Sequence, residues 1–94
     1  MNAVRYAVAH GVLHRLVGDE VFVLMPDGRI HWLREATAQT LWLALAAPDA
    51  PPDVSALTGR LTGEFDVAPA QAEADVRAFV ERLVREGVLV ALPA

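Results

Sequence analysis

From position 12 onward, apolar residues fall into short runs fenced by turn formers. VLHRLV (residues 12–17) lies between Gly11 and Gly18-Asp19, VFVLM (21–25) between Glu20 and Pro26, and RIHWL (29–33) follows Pro26-Asp27-Gly28. Short runs rich in β-branched and aromatic residues, bounded in this way, predict strands, and the Asp-Gly pair is a hairpin signal. Three in succession predict a meander. The middle run is apolar throughout, which fits a central, doubly covered strand. The third run is then an edge.

The period changes near Glu35. Ala38, Leu41, Trp42 and Leu45 stand at i, i+3, i+4 and i+7, one face of a helix. The prolines of AAPDAPPD (46–53) end it, and Asp53 suits the N-cap of a second helix. Val54, Leu57, Leu61 and Phe65 are that helix's apolar stripe, and Gly63 and Asp66 mark its end. Pro69 fits the first position of a third helix, which runs to Glu86 with Gly87 as its C-terminal cap. Ala72, Val76, Phe79, Val80 and Leu83 are its core stripe. VLVAL (88–92) reads as an extended tail packed back on the body, and residues 1–10, without a clear period, as a loose arm. The order β-β-β-α-α-α, with no repeat or linker, predicts one α+β domain over residues 1–94. Its architecture is winged-helix-like: a three-stranded antiparallel sheet followed by three helices that cover one face.

Composition narrows the chemistry. The chain has 94 residues, 54% of them apolar, enough for one packed core. With no cysteine, disulfides, thiolate zinc sites and cysteine nucleophiles are excluded. All eight Lys+Arg positions are arginine, so no lysine is present for Schiff-base or phosphate-loop chemistry. The net charge of −4 opposes contact with a phosphate polymer. No apolar run reaches the roughly 18 residues of a membrane span, and the start lacks a signal-peptide layout. The chain therefore reads as soluble and cytoplasmic, with neither nucleic acid nor membrane as partner.

No catalytic constellation emerges. His10 and His14 have metal-ligand spacing on a helix, but Gly11 interrupts them and no third ligand is near. Ser55 is the sole serine and sits in the first turn of a predicted helix, where capping explains it. Gly59 and Gly63 do not form a phosphate-cradling loop. The sequence thus predicts no enzyme, no metal and no cofactor. The third helix would be the recognition helix of a DNA-binding regulator, but Arg77, Arg82 and Arg85 are outweighed by Glu73, Asp75, Glu81 and Glu86.

The edge strand RIHWL is the informative element. Its unpaired backbone groups are either shielded or used, and one use is to accept an extended peptide as an added strand. A third helix lying alongside would make a groove with an apolar floor and arginines on the rim. The competing reading is that Trp32 plugs the core.

Here the chain resembles a known family. Trp32-Leu33, followed by Ala36-Thr37-Ala38 and Leu41-Trp42, is similar to the strand-to-helix signature of PqqD-like proteins. Glu64-Phe65-Asp66-Val67, Asp75-Val76, Phe79-Val80, Leu83 and Gly87-Val88-Leu89 resemble that family's second half. The similarity spans roughly residues 12–92. The family's asparagine before the first helix is Arg34 here, and its acidic-glycine step after that helix is replaced by Ala46-Ala47-Pro48-Asp49. The resemblance implies a peptide chaperone, a recognition element for ribosomally made, modified peptides in natural product biosynthesis. Such a domain binds the leader of a precursor peptide between its third strand and third helix. It then presents the leader to a modifying enzyme, such as a radical SAM protein or a peptidase-type partner. On that basis Arg29, Ile30, His31, Trp32 and Leu33 are expected to supply the pairing strand, and Asp75, Ala78, Phe79, Arg82 and Arg85 to line the groove. The alternatives are a winged-helix DNA-binding regulator and a structural subunit that self-associates as a homodimer through the same edge.

Overall fold

The structure, a computed structural model, describes residues 3–93. Its elements are β1 (Arg5–Val8), β2 (Leu13–Val17), β3 (Glu20–Leu24), β4 (Ile30–Leu33), α1 (Ala36–Ala46), α2 (Val54–Glu64), α3 (Pro69–Arg85) and β5 (Leu89–Leu92). The expected third strand is β4. β2, β3 and β4 form an antiparallel sheet in that order, and β1 pairs antiparallel with β5 in a separate two-stranded sheet. The fold is mixed α+β with three helices.

Glycines set both turns of the meander. Gly18 has φ +60 and Asp19 does not have positive φ, so the two-residue loop between Val17 and Glu20 has glycine at its first central position. The second loop holds three residues, Pro26, Asp27 and Gly28, and closes with the Arg29 carbonyl accepting from the Met25 N–H at 2.8 Å. Gly28 takes the left-handed conformation there, at φ +95.

Local chemistry also explains the helix ends. Asp53 Oδ1 accepts from the Ala56 N–H at 2.8 Å and caps α2. At the end of α3 the Gly87 N–H reaches the Val84 carbonyl at 3.1 Å, and the Val88 N–H reaches the Leu83 carbonyl at 2.9 Å. With Gly87 at φ +79, this is the paired-bond ending that glycine permits. It turns the chain sharply and sends β5 back across the body.

The core lies between the sheet and the helices. Trp42, Leu57, Val76, Val80 and Val88 are fully buried, and Val21 and Val23 of β3 close the core from the sheet side. Two expectations need correction. Residues 1–10 are not a loose arm: residues 5–8 form β1, with Tyr6 and Val8 packed on the core, while residues 1 and 2 lie outside the described residues. The alternation of that strand is too short to stand out from its apolar neighbours. Nor is the middle strand covered on both faces. Val21 and Val23 are buried, but Phe22 and Leu24 on the other face are only half-buried, because the helices cover one side alone. Among the described residues, no helix is long and apolar enough to cross a membrane.

Candidate functional site

β4 ends the sheet, and among the described residues its far edge carries no strand. The N-terminal strand that might have sealed it pairs with β5 instead. The ladder register decides which groups this edge exposes. Val23 stands opposite His31 and Val21 opposite Leu33. Opposite pairs in an antiparallel ladder alternate between bonded and non-bonded. Because Met25 bonds Arg29, the bonded pairs continue through His31 and Leu33. Ile30 and Trp32 therefore direct their N–H and C=O groups away from β3, to the open edge.

Side chains alternate in the same rhythm. His31 and Leu33 face the helices, and Leu33 is buried. Ile30 and Trp32 face outward and are 61% and 48% exposed. The indole N–H of Trp32 donates to Glu20 Oε2 at 2.9 Å, its ring stacks on Phe22, and the Arg34 guanidinium lies 4.4 Å from its centre. Trp32 is not a core plug; that position belongs to Trp42.

Beside the end of β4 runs a groove of about 630 Å³. Its walls are residues 32–35 on one side and Asp75, Ala78, Phe79, Arg82 and Arg85 of α3 on the other. Thr37, Ala38 and Leu41 of α1 and Leu61 of α2 complete it. The buried Leu33, Leu41 and Leu61 make an apolar floor, and the short side chains of Ala38 and Ala78 leave the space open. α3 packs mainly on α2 and β5 rather than on β4, so the groove follows the gap between strand and helix.

Of the ten residues singled out in the sequence, Trp32, Leu33, Asp75, Ala78, Phe79, Arg82 and Arg85 line this groove. Arg29, Ile30 and His31 do not. Arg29 straps the hairpin tip: its Nε donates to Asp27 Oδ2 at 2.8 Å and its Nη2 to the Glu86 carbonyl at 3.3 Å. The Arg29 backbone N–H, donating to Asp27 Oδ1 at 3.0 Å, and then its guanidinium hold the Asp27 carboxyl below its usual value. His31 Nδ1 lies 3.4 Å from Glu86 Oε2, while its buried Nε2 has no hydrogen-bond partner among the described residues. Arg34, Glu35, Thr37, Ala38, Leu41 and Leu61 were missed. Leu41 and Leu61 carry no sequence signal beyond core periodicity, whereas the adjacent small residues Thr37 and Ala38 hint at a cleft. Among the described residues, no group of three histidines, cysteines or carboxylates could hold a metal ion.

Comparison with known proteins adds a family and two solved structures of similar fold. A family model described as coenzyme PQQ synthesis protein D (PqqD) matches residues 20–89. A comparison with curated proteins finds no match. TbiB1, solved in complex with the TbiA(beta) leader peptide, is similar at a TM-score of 0.77 and 21% identity, covering 88% of this chain and 93% of that one. A lasso peptide synthetase B1 complexed with its leader peptide is similar at a TM-score of 0.74 and 22% identity, covering 95% and 99%.

Proposed function

This chain belongs to the PqqD family, and from that premise we propose that it is a non-catalytic adaptor for a ribosomally made precursor peptide. The leader segment adds to β4 as a fourth strand, and the domain presents it to a modifying enzyme of the radical SAM or peptidase type. The observation that carries this reading is the open edge of β4, whose free backbone groups at Ile30 and Trp32 lie beside a groove walled by α3. The two solved proteins of similar fold were captured with leader peptides. Such an adaptor works where precursor peptides are made, in the cytoplasm.

Magnitudes show what each part of the site contributes. Two N–H and two C=O groups allow at most four main-chain bonds, each with a net worth of about 0.5–1.5 kcal/mol. Association alone costs on the order of 4–15 kcal/mol. Strand pairing therefore fixes direction and register, while affinity has to come from apolar side chains entering the groove over Leu33, Leu41 and Leu61. At about 25 cal/mol per Å², one or two large apolar residues there supply several kcal/mol.

Amide hydrogen exchange tests the reading, measured on the free protein and with a peptide enriched on it from a random display library. The Ile30 and Trp32 amides should exchange fast in the free protein and become protected in the complex. His31 and Leu33 should be protected in both. A complex that leaves Ile30 and Trp32 unprotected would mean that the peptide does not add to this edge.

A further inference from the structure

The groove is charged unevenly along its length. Glu86, just beyond the end of α3, meets both Arg29 and His31, so β4 begins at the C-terminal end of α3. Arg82 and Arg85 line the groove in that last turn, and among the described residues neither forms an ion pair. Asp75 lies about 10 Å back along α3 from Arg82, at ~1.5 Å per residue. It lines the same groove as Glu35 and is held by Gln71 Nε2 at 2.8 Å. Arg34, the other groove arginine, lies 4.4 Å from the centre of the Trp32 ring, and Arg82 lies more loosely over Phe79, at 6.0 Å.

Resting on the strand-addition reading, we propose that the guest is an extended peptide with carboxylates at one end and none at the other. Its acidic end lies against Arg82 and Arg85, by the hairpin tip. The end lying toward Asp75 and Glu35 is neutral or basic. Two cations at one end, and at the other two carboxylates offset in part by Arg34, give a reversed acidic segment a like-charge contact, so charge selects orientation as well as partner. A helix C-terminus accounts for arginines in its last turn through the helix dipole. It does not account for their lying on the groove wall opposite a strand edge. A phosphate polymer fits less well, since Asp75, Glu35 and the net charge of −4 all oppose it.

A random dodecapeptide display library selected on the wild-type chain, and in parallel on Arg82→Gln/Arg85→Gln, tests this. Wild type should enrich peptides with Asp or Glu clustered at one end. Their affinity should fall about three- to tenfold on the double variant, as two partly exposed ion pairs are worth. Added salt should narrow that gap, and Asp75→Asn should weaken binding only of those selected peptides whose other end is basic. Thermal melts of both variants check that the fold is kept. Enriched peptides without an acidic end, or with equal affinity for wild type and the double variant, overturn the inference while leaving strand addition standing. No enrichment over an unrelated protein overturns both. Displacement of selected peptides by duplex DNA, with a steeper salt dependence than theirs, would assign the arginines to phosphate instead.

Discussion

Trp32 lies almost flat on Phe22, with ring centroids 5.6 Å apart and planes 12° from parallel, on the sheet face turned away from the helices. The same face also leaves Leu13, Val17 and Ile30 exposed. Glu20 holds the indole N–H and Arg34 covers the ring, so three side chains lock the tryptophan in place. Replacing Trp32 with Ala removes a stacked pair, a cation–π contact and an exposed hydrogen bond. The loss should be about 1–2 kcal/mol, or a Tm lower by about 5–10 °C for a domain of this size. Thermal melts by circular dichroism check this. A loss above about 4 kcal/mol, typical of an aromatic deleted from a core, would mean the ring is buried after all.

The ladder register separates two neighbouring residues that the sequence treats alike. Proline at position 30 deletes an N–H that no described residue accepts, and edge positions of this kind tolerate proline. Ile30→Pro should stay folded, with a Tm within a few degrees of wild type, and should bind a selected peptide about tenfold more weakly through one lost pairing bond. Proline at position 31 deletes an N–H that belongs to the β3 ladder and strands the Val23 carbonyl, costing about 1–3 kcal/mol before any steric clash. Urea denaturation and fluorescence polarisation on the two variants would expose a wrong register: the two would then behave alike.

Asp27 ties the hairpin tip through both the backbone and the guanidinium of Arg29, and its carboxyl sits below its usual value of 3.8. A carboxyl depressed on folding contributes stability that is present above its unfolded value and is lost as pH falls through the folded one. Asp27→Asn should therefore lower Tm slightly at pH 7, and the difference should vanish well below pH 3.8. The group is exposed, so the effect is small. Paired melts across that range measure it, and a gap that persists at the lowest pH would trace the effect to something other than ionisation.

Most of the architecture could be read from period and punctuation. Gly18, Gly28 and Gly87 stand where the backbone turns left-handed, Asp53 caps α2, and the stripes through Trp42, Leu57 and Val76 are buried. The α3 wall of the groove was legible because an edge strand needs a neighbour and Arg82 and Arg85 follow the outer flank of the helix stripe. Leu41 and Leu61 were not, since a floor residue and a core residue share one periodicity. The roles of Arg29 and His31 were hidden as well. Whether a strand residue faces the guest or the parent sheet depends on the parity of the ladder, which the three-residue loop at Pro26–Gly28 sets and the composition does not reveal. The pairing of β1 with β5 joins the two ends of the chain, and no local pattern announces it.

That last pairing makes a prediction in its own right. β1 packs Tyr6 and Val8, both half-buried, against the core, and Arg5 Nη1 donates to the Pro51 carbonyl at 2.8 Å. The Tyr6 N–H reaches the Pro52 carbonyl and the Ala9 N–H the Val88 carbonyl, each at 2.9 Å. Deleting residues 1–10 removes the β1–β5 ladder and two half-buried apolar side chains, each worth part of the roughly 1.5–3 kcal/mol of a fully buried one, and frees the edge of β5. Against a total of roughly 5–15 kcal/mol, the shortened chain should melt about 15 °C or more below the full one. It should also self-associate through β5 as concentration rises, which light scattering would detect. Because β1 pairs with β5 and leaves β4 open, the shortened chain should bind a selected peptide as tightly as the full chain when both are assayed well below the lower melt. Tighter binding after deletion would show that the amino-terminal strand competes for β4 and acts as a gate, whereas equal binding leaves it as a clasp that holds the two ends of the domain together.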